Sequence, residues 1–242
     1  MKTLSLKSEL NKITTLTAIL TAGVVFTNIA SAEITAGPVK LLTPHFEPRQ
    51  VEQVEVGDFH FLPGQVAPIH THDAPAVGYV AKGEIIYQVE GERPQILREG
   101  DAFYEAAGPR ILRFDNASAT EEAIFLDFNL EQAGEPFIVF ENPPTEAIDR
   151  RTLPSISLGG QTVDRVDIYS TELHPAGISK LNTVEPTLGL VAEGIVELKI
   201  KGQASQRIIA GGTFSIPSAA SQTTISNASS EVQAKVITFR LL

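Results

Sequence analysis

The sequence predicts an all-β protein built from two copies of one sandwich or barrel domain, and three observations carry that expectation. The chain repeats itself at a spacing of 111 residues. Inside each copy, apolar and polar residues alternate with a period of two. Between the alternating runs, Gly and Pro recur every 8 to 10 residues, the cadence of strands joined by turns.

The repeat is specific in its residues. Pro75 aligns with Pro186, Gly78 with Gly189, Val80-Ala81 with Val191-Ala192, Gly83 with Gly194 and Gly91 with Gly202. Gly100 aligns with Gly211, Phe103 with Phe214, Asn116-Ala117-Ser118 with Asn227-Ala228-Ser229, and Phe128 with Phe239. Chance identity does not hold glycines in one register over such a length, so the chain reads as two copies of one domain, about 51–131 and 162–242.

The elements follow from the alternation. Ile85, Tyr87 and Val89 interleave with Ile86, Gln88 and Glu90, and Val196, Leu198 and Ile200 interleave with Glu197 and Lys199, giving strands with one buried face. Gly83, Gly91, Gly100 and Gly108, with Pro63, Pro68, Pro75, Pro94 and Pro109, mark the turns. Residues 33–50 form an N-terminal arm and residues 132–161, with Pro136, Pro143, Pro144 and Pro154, connect the copies. Phe137–Phe140 in the connection and Val39–Leu42 in the arm each have the character of an added strand.

Ahead of the arm, Lys2, Lys7 and Lys12 precede an apolar run from Ile13 to Ile29 that closes on Ala30-Ser31-Ala32. A basic start, a short apolar centre and an Ala-x-Ala end are the parts of a secretory signal peptide, so residues 1–32 are expected to be cleaved and the protein to be periplasmic or secreted. The run is interrupted by Thr and Asn and is short for a span, so no membrane span is expected after cleavage. The whole chain has 19 basic and 29 acidic residues, a net of −10, and cleavage takes it to −12. No basic surplus exists for a nucleic-acid backbone. The absence of Cys excludes disulfides, thiol nucleophiles and thiolate metal sites.

Gly64-Gln65-Val66-Ala67-Pro68-Ile69-His70-Thr71-His72, followed by Gly83, resembles the first motif of the cupin superfamily, and Gly100-Asp101 through Gly108 resembles the second. With both copies covered, the chain resembles a bicupin, which implies two double-stranded β-helix (jelly-roll) barrels. The departures are definite. Ala76 stands at the motif's Glu, Ala106 at its Pro, Ile111 at its third His, and Asp115 at its Asn. Metal-binding cupins hold iron, manganese, nickel, copper or zinc with three His and a carboxylate, so the resemblance implies a divalent transition metal if the missing ligands are replaced. Phe103-Tyr104-Glu105 is also similar to a segment of quercetin-dioxygenase-like cupins.

Two His at i and i+2 point to one side of a strand and can share an ion, which makes His70 and His72 the candidate metal ligands. Glu105, inward by the register that pairs it with Ile216, is the candidate carboxylate; the alternatives are a buried ion pair with Arg113 or a solvated side chain at a bulge. His60, between Phe59 and Phe61, together with Tyr87, Phe103 and Arg113, is expected to line the pocket. In the second copy Leu181, Thr183, Thr187 and Gln222 occupy the four ligand positions, so that half reads as scaffold or as a ligand-binding half. The Asn116 and Asn227 triplets match the glycosylation pattern, but their equivalence in the repeat favours a turn role.

Two functions fit these residues. One is an exported bicupin that binds a small organic ligand in the N-terminal barrel. The other is a metal-dependent oxidoreductase of the cupin dioxygenase type using His70 and His72. Either operates as a monomer or a homodimer.

Overall fold

A computed structural model describes residues 37–181, 184–220 and 222–242; the expected signal peptide, residues 1–32, lies outside the described residues. Every regular element among them is a strand. The first half comprises β1 (Val39–Leu42), β2 (His45–Phe61), β3 (His70–Thr71), β4 (Ala76–Lys82), β5 (Glu84–Val89), β6 (Gln95–Arg98), β7 (Ala102–Glu105), β8 (Ile111–Asn116), β9 (Ala123–Glu131) and β10 (Val139–Phe140). The second comprises β11 (Asp149–Leu173), β12 (Ile178–Leu181), β13 (Thr187–Glu193), β14 (Ile195–Lys199), β15 (Gln206–Ile209), β16 (Thr213–Ile216), β17 (Thr223–Asn227) and β18 (Ala234–Leu241). The fold is all-β, as the alternation predicts, with two jelly-roll barrels, as the motif resemblance implies.

One large sheet runs through both halves in the order β16-β13-β18-β11-β2-β9-β4-β7, with β1 added beside β11. A second sheet, β10-β3-β8-β5-β6, closes the first barrel, and a third, β12-β17-β14-β15, closes the second. Strand parity sorts the side chains. On β9, Phe125 enters the core of the first barrel, while Leu126, Phe128 and Leu130 join a separate core with Leu188, Leu190, Ile237 and Phe239 of the second half. β9 and β18 are three inter-strand steps apart in the sheet, roughly 14 Å, yet the rings of Phe128 and Phe239 are 4.5 Å apart. The large sheet therefore curls over its outer face and buries it between the barrels.

Strand structure runs through the arm and the connection. β2 begins at His45, inside the arm, and β11 begins at Asp149, inside the connection, and the two pair along most of their length. The register shifts between Leu153 and Ile156, around Pro154, and between Ser157 and Gln161, around Gly159 and Gly160 at φ of +65° and +78°. The residues that resemble breakers are thus absorbed as bulges, where a missing N–H or a left-handed backbone is tolerated. β1 pairs with β11 and β10 with β3.

The repeat is visible in detail. Gly78 faces Phe103 across β4 and β7, and Gly189 faces Phe214 across β13 and β16. A Cβ on either glycine would lie 2.0 Å from the facing ring. Each aromatic ring fills the space over its glycine, which explains why both pairs recur 111 residues apart. Asn116 Nδ2 donates to the carbonyls of Phe61, Leu62 and Glu121, and Asn227 Nδ2 to those of Leu173, His174 and Val232. Both Asn are buried turn anchors, which leaves no free amide for a glycan.

Candidate metal centre

His70 lies on β3, paired with Ile111 of β8 on one side and Phe140 of β10 on the other, and His72 follows two residues on. The i, i+2 spacing brings the two rings to 5.4 Å, nearly perpendicular at 80°. Both imidazoles are oriented by backbone. His70 Nδ1 is 2.8 Å from the carbonyl of Pro68, and His72 Nδ1 is 3.0 Å from that of Phe137. A carbonyl only accepts, so Nδ1 carries the hydrogen in both and Nε2 faces inward, the way a second contact orients a metal-binding imidazole. Asn129 Nδ2 donates to the same Phe137 carbonyl at 3.1 Å and steadies it.

Glu105 ends β7 directly opposite Ala76 of β4. Its Oε2 lies 3.3 Å from His72 Nε2 and its Oε1 3.9 Å from His70 Nε2, with all three side chains 4 % exposed or less. His72 Nε2 and Glu105 Oε1 have no hydrogen-bond partner. Among the described residues His70, His72 and Glu105 form the group able to hold a metal, with donor atoms within 4.8 Å of one another. Two imidazoles and a carboxylate, buried and aimed at one point with unpaired donors, fit a divalent transition metal.

The charges reinforce one another. Burial alone pushes the Glu105 carboxyl up, but the His72 and His70 imidazoles beside it reverse this and hold it below the usual range. Burial alone pushes His72 down, but the Glu105 carboxylate carries it up to about 9. The metal-free site is thus a buried ion pair in which a proton occupies a position that a cation can take.

The surrounding cavity has a volume of about 30 Å³, room for a water-sized occupant. Phe59, Phe61, Phe114 and Phe125 wall it from within the barrel, and Ile138, Phe140 and Ile148 of the connection cover it. A larger recess of about 360 Å³ lies outside, between Gly64–Ile69 and Asn142–Ile148. The two share Ala67 and Ile148 as common wall.

Four expected pocket residues sit elsewhere. Arg113 is expected inward by the parity of Ile111, but the β5–β8 register shifts between Gln88 and Val89, so Leu112 is an extra residue and the parity flips. Phe114 faces the cavity instead, and Arg113, 42 % exposed, pairs with Asp115 at 2.7 Å; it does not pair with Glu105. His60 faces away from the cavity between Phe59 and Phe61, with Asp58 and Glu122 at 3.3 and 3.2 Å. Phe103 and Tyr87 belong to the barrel core behind the cavity without lining it: Phe103 packs on Phe114 and Phe125, and the Tyr87 hydroxyl donates to the carbonyl of Tyr104.

Asp127 belongs to no motif in the sequence. This carboxylate is 3 % exposed and lines the same cavity from β9, and its Oδ1 has no partner. Burial and the charge of Glu105 push it up to about 8. The available signal is parity, since Asp127 shares the inward face of Phe125 two residues before it.

Among the described residues the second barrel has no equivalent group. Leu181 and Ile216, at the positions of His70 and Glu105, are buried in an apolar core, Thr187 is buried opposite Ile216, and Gln222 is exposed. Thr183 lies outside the described residues.

Residues 57–129 match the model of the cupin domain. The fold is similar to AerE from Microcystis aeruginosa (TM-score 0.58, 17 % identity, 86 % of this chain and 98 % of that one). It is also similar to salicylate 1,2-dioxygenase from Pseudoaminobacter salicylatoxidans with gentisate adducts (0.53, 15 %, 78 % and 68 %) and to vicilin from Capsicum annuum (0.58, 14 %, 79 % and 76 %). No curated protein matches the chain in sequence. At these identities the likeness is one of fold, and it spans a dioxygenase and a vicilin alike.

Proposed function

Taking as premise that the first barrel is a cupin domain, we propose that it holds one divalent transition-metal ion on His70, His72 and Glu105 and presents it to a small organic ligand. The observation that carries this reading is the convergence of three buried donors, two of them with atoms lacking any other partner. Bound there, iron, manganese, nickel, copper or zinc would supply Lewis acidity, and the redox-active members among them electron exchange with an oxygen-bearing ligand. The protein's own part is to fix both imidazoles by backbone carbonyls, to deliver a carboxylate from across the strand pair, and to exclude water with phenylalanine rings.

The ligand reaches the site through the recess beside Ala67 and Ile148, because the inner cavity of about 30 Å³ holds no organic molecule as it stands. Opening requires displacement of Ile138, Phe140 or Ile148 from the connection. A ligand-binding role without turnover is the second reading, supported by the departures from the cupin motif at Ala76 and Ile111. The second barrel serves as scaffold, its core filled by Leu181, Ile216 and Phe214. The pattern of residues 1–32 supports action in the periplasm or outside the cell.

Elemental analysis of the purified protein after incubation with each metal tests the reading, and oxygen uptake with phenolic or enolic compounds separates turnover from binding. Metal without turnover on any of them favours the second reading.

A further inference from the structure

Arg150 is not a member of the triad, yet its guanidinium lies on a residue that touches His72. At the start of β11 it stands directly opposite Phe59 of β2 and so shares the inward face of that pair. Two residues back on β2 is Gly57, where a Cβ would come within 3.1 Å of both Arg150 Nε and the Phe137 ring. The space left by that missing side chain is where guanidinium and ring meet. Arg150 Cζ is 3.8 Å from the centroid of Phe137 and 5.9 Å from that of Phe59, and its Nη2 pairs with Glu55, on the same face of β2.

Phe137 carries the contact onward by two routes. Its ring meets the His72 imidazole edge-on, with centroids 6.4 Å apart and planes at 67°. Its carbonyl accepts from His72 Nδ1 at 3.0 Å and from Asn129 Nδ2 at 3.1 Å. His70, by contrast, is oriented by Pro68 of its own segment. One imidazole is therefore set locally and the other from the connection, 65 residues away. Strand pairing of the connection with β3 begins only at Val139, so Phe137 depends on what packs against its ring.

We propose that Arg150 is a positioning residue for His72: by clamping the Phe137 ring it fixes the carbonyl that sets the tautomer and direction of that imidazole. This inference rests on the metal reading. A guanidinium laid over an aromatic face is attracted by the ring's negative face, most strongly where both are shielded from water. Phe137 is buried, and Arg150 Nε is buried with no hydrogen-bond partner, so the cation's flat face makes the contact.

The test measures cobalt(II) affinity of the full protein and the proton spectrum of the cobalt-loaded form. Arg150→Met should bind cobalt about 10-fold more weakly than the parent, the effect of losing a contact behind a ligand. Phe137→Leu, which keeps the carbonyl and loses the ring, should do the same. The double variant should stay within about twofold of the weaker single one, because both act through one contact. The loaded parent should show two slowly exchanging imidazole N–H protons, from His70 and His72, and Arg150→Met should speed the exchange of one alone. Cobalt affinity within about twofold of the parent in Arg150→Met, or losses that multiply in the double variant, overturns the proposal. So does equal acceleration of both protons, which general loosening would give. If Arg150→Met does not fold, Arg150→Gln, which can still donate to Glu55 but carries no charge over the ring, is read by the same criteria. A parent that takes up no cobalt overturns the metal reading itself, before any variant is compared.

Discussion

Glu105 stands directly across the β4–β7 pair from Ala76. Opposite residues on one face of an antiparallel pair have Cβ atoms roughly 5 Å apart, so a long side chain from one position reaches the space above the other. Ala76 occupies the place where the cupin motif carries its Glu, and it is small enough to leave that space open. On the proposed reading the carboxylate is relocated across the strand pair to Glu105.

The relocation is reversible on this account. Glu105→Ala should lower metal affinity by about 100-fold or more, beyond the loss that follows removal of a supporting contact. Adding Ala76→Glu to Glu105→Ala should recover a substantial part of it, measured by equilibrium dialysis. No recovery in a folded double variant would count against the shared position.

The pH dependence has a definite sign. His72 is raised to about 9 and Asp127 to about 8, so each holds a proton in the folded protein that the unfolded chain releases at lower pH. The stability they lend is complete below their unfolded values, about 6.5 and 3.8, and is lost as pH rises through the folded ones. Glu105, held low, acts oppositely, and its share is lost only as pH falls below its unfolded value of about 4.5. Thermal unfolding with chelator should therefore show highest stability in mildly acid solution and a fall towards pH 9 that metal counteracts. Equal unfolding temperatures for metal-free protein at pH 5 and pH 9 would contradict this assignment.

The glycine–aromatic pairs separate stability from site chemistry. Gly78→Ala and Gly189→Ala each force a Cβ to 2.0 Å from a ring, Phe103 or Phe214. Each should cost about 1–3 kcal/mol of stability in denaturant unfolding, the usual range for overpacking. Phe103 lies two residues from Glu105, so Gly78→Ala should also weaken metal binding, whereas Gly189→Ala should leave it unchanged.

The paired asparagines make a matched test of the repeat. Asn116→Ala and Asn227→Ala each remove the two N–H donors that serve three carbonyls of a buried turn. Each should destabilise the protein by about 2–4 kcal/mol by leaving carbonyls unpaired. A negligible effect at either position would show that its turn is held by other contacts.

Much of this was legible in the sequence, and the failures have physical causes. The 111-residue register located equivalent strands because turn glycines such as Gly83 and Gly194, at φ of +79° and +77°, are backbone requirements that both copies must meet. His70, His72 and Glu105 followed from strand parity, which holds where no residue is inserted. Arg113 failed because one extra residue at Leu112 reverses parity, and nothing local marks that bulge. The long strand β11 was hidden because Pro154 and the Gly159-Gly160 pair look like breaks yet sit at bulges. Asp127 was missed because an acid among apolar residues on β9 carries no motif, although its parity with Phe125 points inward.

The central claim is that His70, His72 and Glu105 hold a metal ion, and metal stoichiometry tests it most directly. The purified protein, loaded in turn with iron, manganese, nickel, copper and zinc and then desalted, should retain about one equivalent of at least one of them, and His70→Ala/His72→Ala should retain none. Less than about a tenth of an equivalent of every metal in the parent, or equal retention by the double variant, would contradict the account.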